Sequence, residues 1–230
     1  MLRKLIHFWL HKIYPSLTAL IAAIGVVGLG SCLLILWILT HLFEEVWERE
    51  SFTFDRSVLL WIHQSANPTL DAVMLAVTRL GNPGVVVPAT CIVLLLLWWR
   101  RYRQEAKLFA IACIGGAVLN RGLKLLFTKP RPELWKRLID ETSFSFPSGH
   151  ALGSVVLYGM IAYLLATHYP KWAALIYGLA VSLILVISFS RLYLGVHWPT
   201  DIIAGWGIGF LWVTICTTML KPQKLQQRSV

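Results

Sequence analysis

The sequence predicts an all-α integral membrane protein, a six-helix bundle with an interfacial helical segment between its first and second spans. Three observations predict it. Of 230 residues, 57% are apolar and only 14% are charged, whereas a soluble domain carries about 25% charged residues. That much apolar surface cannot be hidden in one core of this length. Apolar runs long enough to cross a hydrocarbon layer of about 30 Å as helix recur along the chain, and in lipid the backbone groups of each run must pair within it. The same numbers exclude a disordered chain, a collagen-like chain and a small disulfide scaffold. The net charge of +10 on so apolar a chain points to anionic lipid headgroups or an anionic substrate, with no nucleic acid as partner.

The first span is expected at Ile13 to Phe43, a run free of Asp, Glu, Lys and Arg. Arg3, Lys4 and Lys12 precede it, but the run is too long for a signal-peptide core, so it reads as a retained anchor. Acidic residues Glu44, Glu45, Glu48 and Glu50 then start a solvated stretch. Asn67-Pro68 has the form of an N-cap followed by proline at the first helical position. Leu70, Val73, Met74 and Val77 follow at helical spacing. That helix is too short to span and suits an interface. Gly81-Asn82-Pro83-Gly84 breaks it. The second span is expected at Leu80 to Trp99 and the third at Ala106 to Phe127, which carries Arg121 and Lys124 near its end. The fourth, Thr142 to Pro170, opens with a loop; the fifth is Trp172 to Ser190 and the sixth Ile202 to Leu220. No repeat or linker interrupts the chain, so residues 1–230 read as one domain. Arg100, Arg101 and Arg103 lie hard against a span and are the strongest topogenic signal. With six spans they place both termini in the cytoplasm of a multi-pass cell-membrane protein. The links after spans three and five then face outward.

Polar residues inside apolar runs are costly and mark function. Here they gather at the outer ends of spans three to six, in three blocks: Lys124 to Pro132, Pro147 to His150, and Ser190 to Asp201. Lys124, Arg131 and Arg191 are cations on three segments near one membrane face, and together they would cage a multiply charged anion. Ser148 can cap the helix that follows. The free N–H groups from Gly149 onward would then face the same anion, and Gly149 lets the backbone come close. Pro199 suits a first helical turn that places Asp201 within reach of the His197 ring N–H. Such an aspartate makes the other ring nitrogen a better base or nucleophile. With His150 as a second titratable imidazole, the set suits phosphoryl transfer through a phosphohistidine.

Plainer readings cover the remaining candidates. Cys32, Cys91, Cys113 and Cys216 sit in apolar runs without ligand spacing and read as packing residues. His7, His11, His41, His63 and His168 read as structural or interfacial. Arg121, Lys129, Lys136 and Arg137 read as cations snorkelling to headgroups, although Arg121 shares a helix face with Lys124. Asp140 and Glu141 read as solvated, and no spacing supports a metal site. Zinc between His150 and His197 would need further ligands. Trp98, Trp99, Trp135, Trp172 and Trp198 suit an interfacial aromatic belt.

Together the three blocks resemble the signature of the type 2 phosphatidic acid phosphatase superfamily: Lys-x6-Arg-Pro, Pro-Ser-Gly-His, then Ser-Arg-x5-His-x3-Asp. Every specified letter agrees: Lys124, Arg131 and Pro132; Pro147, Ser148, Gly149 and His150; Ser190, Arg191, His197 and Asp201. The resemblance implies that His197 is the nucleophile, Asp201 its polarising partner and His150 the general acid. It implies that Lys124, Arg131, Ser148, Gly149 and Arg191 bind the phosphoryl oxygens, with no metal and no cofactor. Some relatives are soluble vanadate-holding haloperoxidases; the apolar spans and the short Glu133 to Phe146 link favour the compact bacterial lipid phosphatases. The substrates then expected are amphiphilic, a phospholipid or polyprenyl phosphate such as phosphatidic acid, phosphatidylglycerophosphate or undecaprenyl diphosphate. A lipid-linked phosphotransferase using the same phosphohistidine, or a non-catalytic lipid-phosphate binding or transport protein, are the alternatives.

Overall fold

The computed structural model describes residues 25–47 and 53–227, with side chains to residue 218. These residues form helices α1 (Val26–Trp47), α2 (Thr53–His63), α3 (Pro68–Thr78), α4 (Pro83–Trp99), α5 (Arg103–Phe127), α6 (Gly149–His168), α7 (Ala173–Tyr193) and α8 (Pro199–Gln227), with single 3-10 turns at Arg79–Gly81 and Pro170–Trp172. The described residues contain no strand, and the all-helical membrane fold expected from composition is what the chain adopts. Residues 1–24, with His7, His11 and the beginning of the expected first span, lie outside the described residues, as do Glu48 and Glu50.

Among the described residues, α1, α5, α6, α7 with its preceding turn, and α8 as far as Thr218 are long and apolar enough to cross a membrane. The stretches Pro68–Gly81 and Pro83–Trp99 pass the same test only as a pair, bent by 42°. The bend has a local cause. Pro83 offers no N–H, and the residue before a proline is driven out of the helical region; Asn82 is accordingly extended, at φ −75° and ψ 150°. At the other end of α3, Asn67 accepts a hydrogen bond from the Leu70 N–H at 3.0 Å, with Pro68 at the first helical position, as the sequence predicts.

Helix α6 is the centre of the bundle, packed against α5, α7 and α8. Phe109, Leu152, Leu157, Met160 and Ala204 are buried between them. Glycines let α8 approach: a Cβ on Gly205 would lie 2.9 Å from the Ala151 Cβ and 3.0 Å from the Ser148 carbonyl oxygen. Four residues on, Gly209 meets Val155 in the same way, the small-xxx-small pattern of close membrane helices. The outer helices turn apolar faces outward. Helix α4 buries none of its residues, and Leu95 is 68% and Leu179 63% exposed. Only lipid covers such faces at low cost.

The two ends of the bundle differ. At one, His168 lies 2.9 Å from the Glu105 carboxylate and Arg103 lies over the Trp98 ring at 4.8 Å. At the other meet the end of α5, the 128–148 link, the start of α6, the end of α7 and the start of α8. There the Ser148 N–H donates to the Asp201 carbonyl at 3.1 Å and the Ser145 N–H to that of Lys129 at 2.8 Å. The Trp198 indole donates to the Pro130 carbonyl at 3.0 Å. Helix α3 is held to the same end by Tyr193, whose hydroxyl donates to Asp71 at 2.7 Å.

Candidate active site

Every residue of the three sequence blocks is brought to this end. Ser148 caps α6 from an extended backbone (φ −65°, ψ 120°), its hydroxyl oxygen accepting from the Ala151 N–H at 3.4 Å. Gly149 and His150 then open the helix, and Pro199 opens α8. The sharpest geometry is at His197, which is 1% exposed. Its Nδ1 lies 3.2 Å from Asp201 Oδ2. A carboxylate can only accept, so Nδ1 carries the proton. On the opposite edge the Arg131 guanidinium lies 3.2 Å from Nε2. Arginine can only donate, so Nε2 presents its lone pair. The two partners thus select one neutral tautomer. Burial holds this imidazole down, at about 3, against the opposing pull of Asp201, so the lone pair stays available across the physiological range.

Asp201 Oδ2 also accepts from the Ser145 hydroxyl, and from the Trp198 N–H at 2.9 Å. Its other oxygen lies 3.2 Å from the Lys129 ammonium. The headgroup-facing role expected of Lys129 is therefore corrected: its side chain is 12% exposed and turned into the protein. Two buried carboxylates, Asp201 and Asp55, outbid the headgroups for it. Glu141 is likewise not a solvated loop acid. Arg191 donates to one of its oxygens, and the other lies 3.6 Å from Arg131. Burial alone would raise the Glu141 carboxyl, but Arg191 and Arg131 outweigh it and hold the group below its ordinary value.

Arg131 further donates to the Ser143 carbonyl at 2.8 Å and the Val196 carbonyl at 2.6 Å. Arg191 donates to the Thr78 hydroxyl at 2.7 Å, while its buried Nε has no hydrogen-bond partner. Lys124 donates to the Phe144 carbonyl. His150 lies 2.7 Å from the Asn82 side-chain oxygen and packs on Gly81, where an added Cβ would come within 2.5 Å of the imidazole. Lys124, Arg131, Glu141, His150, Arg191 and His197 all line one cleft of about 610 Å³. The cleft continues along Val86, Val87 and Thr90 of α4 and Gly116 and Ala117 of α5. Arg121, one turn before Lys124, is exposed and lies outside the cleft lining. Among the described residues no group of three or more His, Cys, Asp or Glu is arranged to hold a metal ion. His63 stacks on Trp135 at 4.0 Å.

Sequence reasoning missed Ser145, Lys129, Thr78, Asn82 and Asp55. Only the first two carried a signal, Ser145 as a polar residue between the first two blocks and Lys129 as a second cation inside the first.

Compared with known protein families, residues 104–224 match the model of the PAP2 superfamily, over half of the chain. The chain belongs to the PAP2 superfamily. Among its curated relatives is phosphatidylglycerophosphatase B of Bacillus subtilis, 33% identical over 147 residues, which cover 63% of this chain and 72% of that protein. Another is the undecaprenyl-diphosphatase of Sulfolobus acidocaldarius, 29% identical over 82% of this chain and 89% of the relative. The PAP2 fold recurs in the crystal structure of the transmembrane PAP2-type phosphatidylglycerolphosphate phosphatase from Bacillus subtilis. That structure matches with a TM-score of 0.74 at 25% identity, over 82% of this chain and 96% of the other.

Proposed function

We propose that this PAP2 protein is a membrane lipid phosphatase that removes the terminal phosphate of lipid phosphates or diphosphates through a phosphohistidine on His197. The observation that carries this reading is the selected tautomer of His197, its Nδ1 proton directed at Asp201 and its Nε2 lone pair facing a guanidinium in a cationic cleft.

The substrate phosphate would replace the Glu141 carboxylate between Arg131 and Arg191, two forks suited to tetrahedral oxyanions. The unpartnered Arg191 Nε, Lys124 and the α6 N–H groups after Ser148 supply further donors. The Nε2 lone pair attacks phosphorus as the bond to the lipid oxygen breaks, and His150 gives that oxygen a proton. Asp201 takes the stronger Nδ1–H hydrogen bond as the ring becomes cationic. Water then attacks the phosphohistidine, losing its proton to His150, and inorganic phosphate leaves. The acyl or prenyl chains would lie along the α4–α5 arm of the cleft, open toward lipid, so substrate enters sideways while its phosphate stays among cations. Phosphatidic acid, phosphatidylglycerophosphate and undecaprenyl diphosphate all present the terminal group this requires.

The test is phosphate release by purified protein in detergent over these three lipids, wild type beside His197→Ala. Free phosphate from at least one lipid, lost by about 10³-fold or more in the variant and inhibited by orthovanadate, is expected. Activity that survives His197→Ala overturns the reading.

A further inference from the structure

Beside the nucleophile lies a buried ionic cluster that the chemistry above does not use. Asp55, from α2, is 2% exposed. It accepts from the Thr200 N–H at 2.9 Å and from the Thr200 hydroxyl at 2.6 Å. Lys129 donates to the same hydroxyl at 2.9 Å. Its ammonium stands 3.6 Å from Asp55 Oδ2 and 3.2 Å from Asp201 Oδ1. The order is carboxylate, ammonium, carboxylate, imidazole, running from α2 to the nucleophile.

Taking these charges out of water is costly, and breaking such a pair leaves an uncompensated charge. The two oxygens of Asp201 are divided between different partners. Oδ2 serves His197, Ser145 and the Trp198 N–H, whereas Oδ1 faces Lys129. Without that ammonium, Oδ1 is a buried lone-pair site that must rotate toward another donor or take a proton. Either change spoils the Nδ1–H hydrogen bond. A lysine at the end of a span otherwise reaches for headgroups; Asp55 and Thr200 prevent it here. The Asp55–Lys129 pair adds no net charge, so its contribution is orientation.

Resting on the phosphohistidine reading, we propose that Lys129 and Asp55 are positioning residues for catalysis: Lys129 clamps the far oxygen of Asp201, Asp55 clamps Lys129, and Asp201 thereby stays ionised and aimed at His197 while the ring is phosphorylated. Helix α2, outside all three sequence blocks, is on this view part of the catalytic machinery.

The test uses the full chain in detergent, with phosphatidic acid as substrate and active sites titrated with orthovanadate. Lys129→Met and Asp55→Asn should each lower kcat per titrated site by about 10- to 100-fold, since misplacement near the chemistry costs that much. KM and inhibition by inorganic phosphate should stay within about threefold, because Lys124, Arg131 and Arg191 are untouched. Lys129→Arg should recover most of the rate. In an Asp201→Asn background, Lys129→Met should cost less than about twofold, as expected of residues acting as one unit. An unchanged kcat, or an equal loss with and without the Asp201 carboxylate, overturns the proposal and leaves the cluster a purely structural role. If Lys129→Met does not fold, Asp55→Asn, which keeps the shape, carries the same comparison. Wild-type turnover that persists in His197→Ala overturns the phosphohistidine reading itself, and the proposal with it.

Discussion

His197 lies between an acceptor and a donor, and its titration follows from that position. In the unfolded chain its imidazole takes a proton near 6.5, whereas burial pushes it to about 3 in the fold. Over that window the unfolded state binds a proton that the folded state refuses, so stability falls as pH falls. Glu141 acts lower. Held below its ordinary 4.5, it contributes stability that is lost only as pH drops through its folded value. The interval from pH 6.5 to 4.5 lies above the Glu141 titration, and comparison with a variant lacking the His197 imidazole singles out its share. Between those limits the wild-type melting temperature in detergent should drop by several degrees more than that of His197→Gln, about 1–3 kcal/mol. Parallel curves would place the imidazole in contact with water. The partners of this residue were readable in part. Pro199 and the first turn after it put the Asp201 carboxylate within reach of a ring N–H of His197, and the structure makes that nitrogen Nδ1, at 3.2 Å. That Arg131 would cover Nε2 was not readable, because a cation aimed at an anion cage and one aimed at a ring nitrogen are the same letter.

Helices place the site by how closely they pack. The start of α8 carries Asp201 and the start of α6 carries His150, and Gly205 sets the gap between them. A Cβ there would collide with Ala151 and with the carbonyl of Ser148, the residue that caps α6. Gly205→Val should cost about 1–3 kcal/mol of stability by overpacking and lower phosphate release about tenfold or more, since His150 and Asp201 move apart. Thermal denaturation and initial rates check this; full activity at native stability would show that the gap is slack. Element ends were legible wherever capping chemistry is local, as at Asn67, Ser148 and Pro199. The coupling of α3 to α4 into one bent pair was not, since Asn82-Pro83 announces a break but not what continues beyond it. Nor did Thr53–His63 declare itself, because its worth lies in Asp55 meeting Thr200, and no spacing rule links those positions.

Across the molecule the charge is polarised. Arg100, Arg101, Arg103 and Lys171 stand at the end fastened by Glu105 and His168, opposite the candidate cleft. Basic residues flanking spans stay in the cytoplasm, and on that rule we propose that the cleft faces outward. In intact cells a membrane-impermeant maleimide should label Leu138→Cys, an exposed position of the 128–148 link. It should label Trp172→Cys, in the opposite turn, only after permeabilisation. The reverse pattern would invert the orientation. Composition and motif order were enough to specify a helical membrane phosphatase of this family and to name most residues of the candidate site, because run length, cap residues and motif letters are local properties of the chain. Packing alone chose the inward turn of Lys129, the seat of Glu141 between two arginines and the reach of Asp55 to Thr200. Those contacts join residues up to 145 positions apart, and which buried charges meet across such distances is settled by desolvation and geometry in the folded protein.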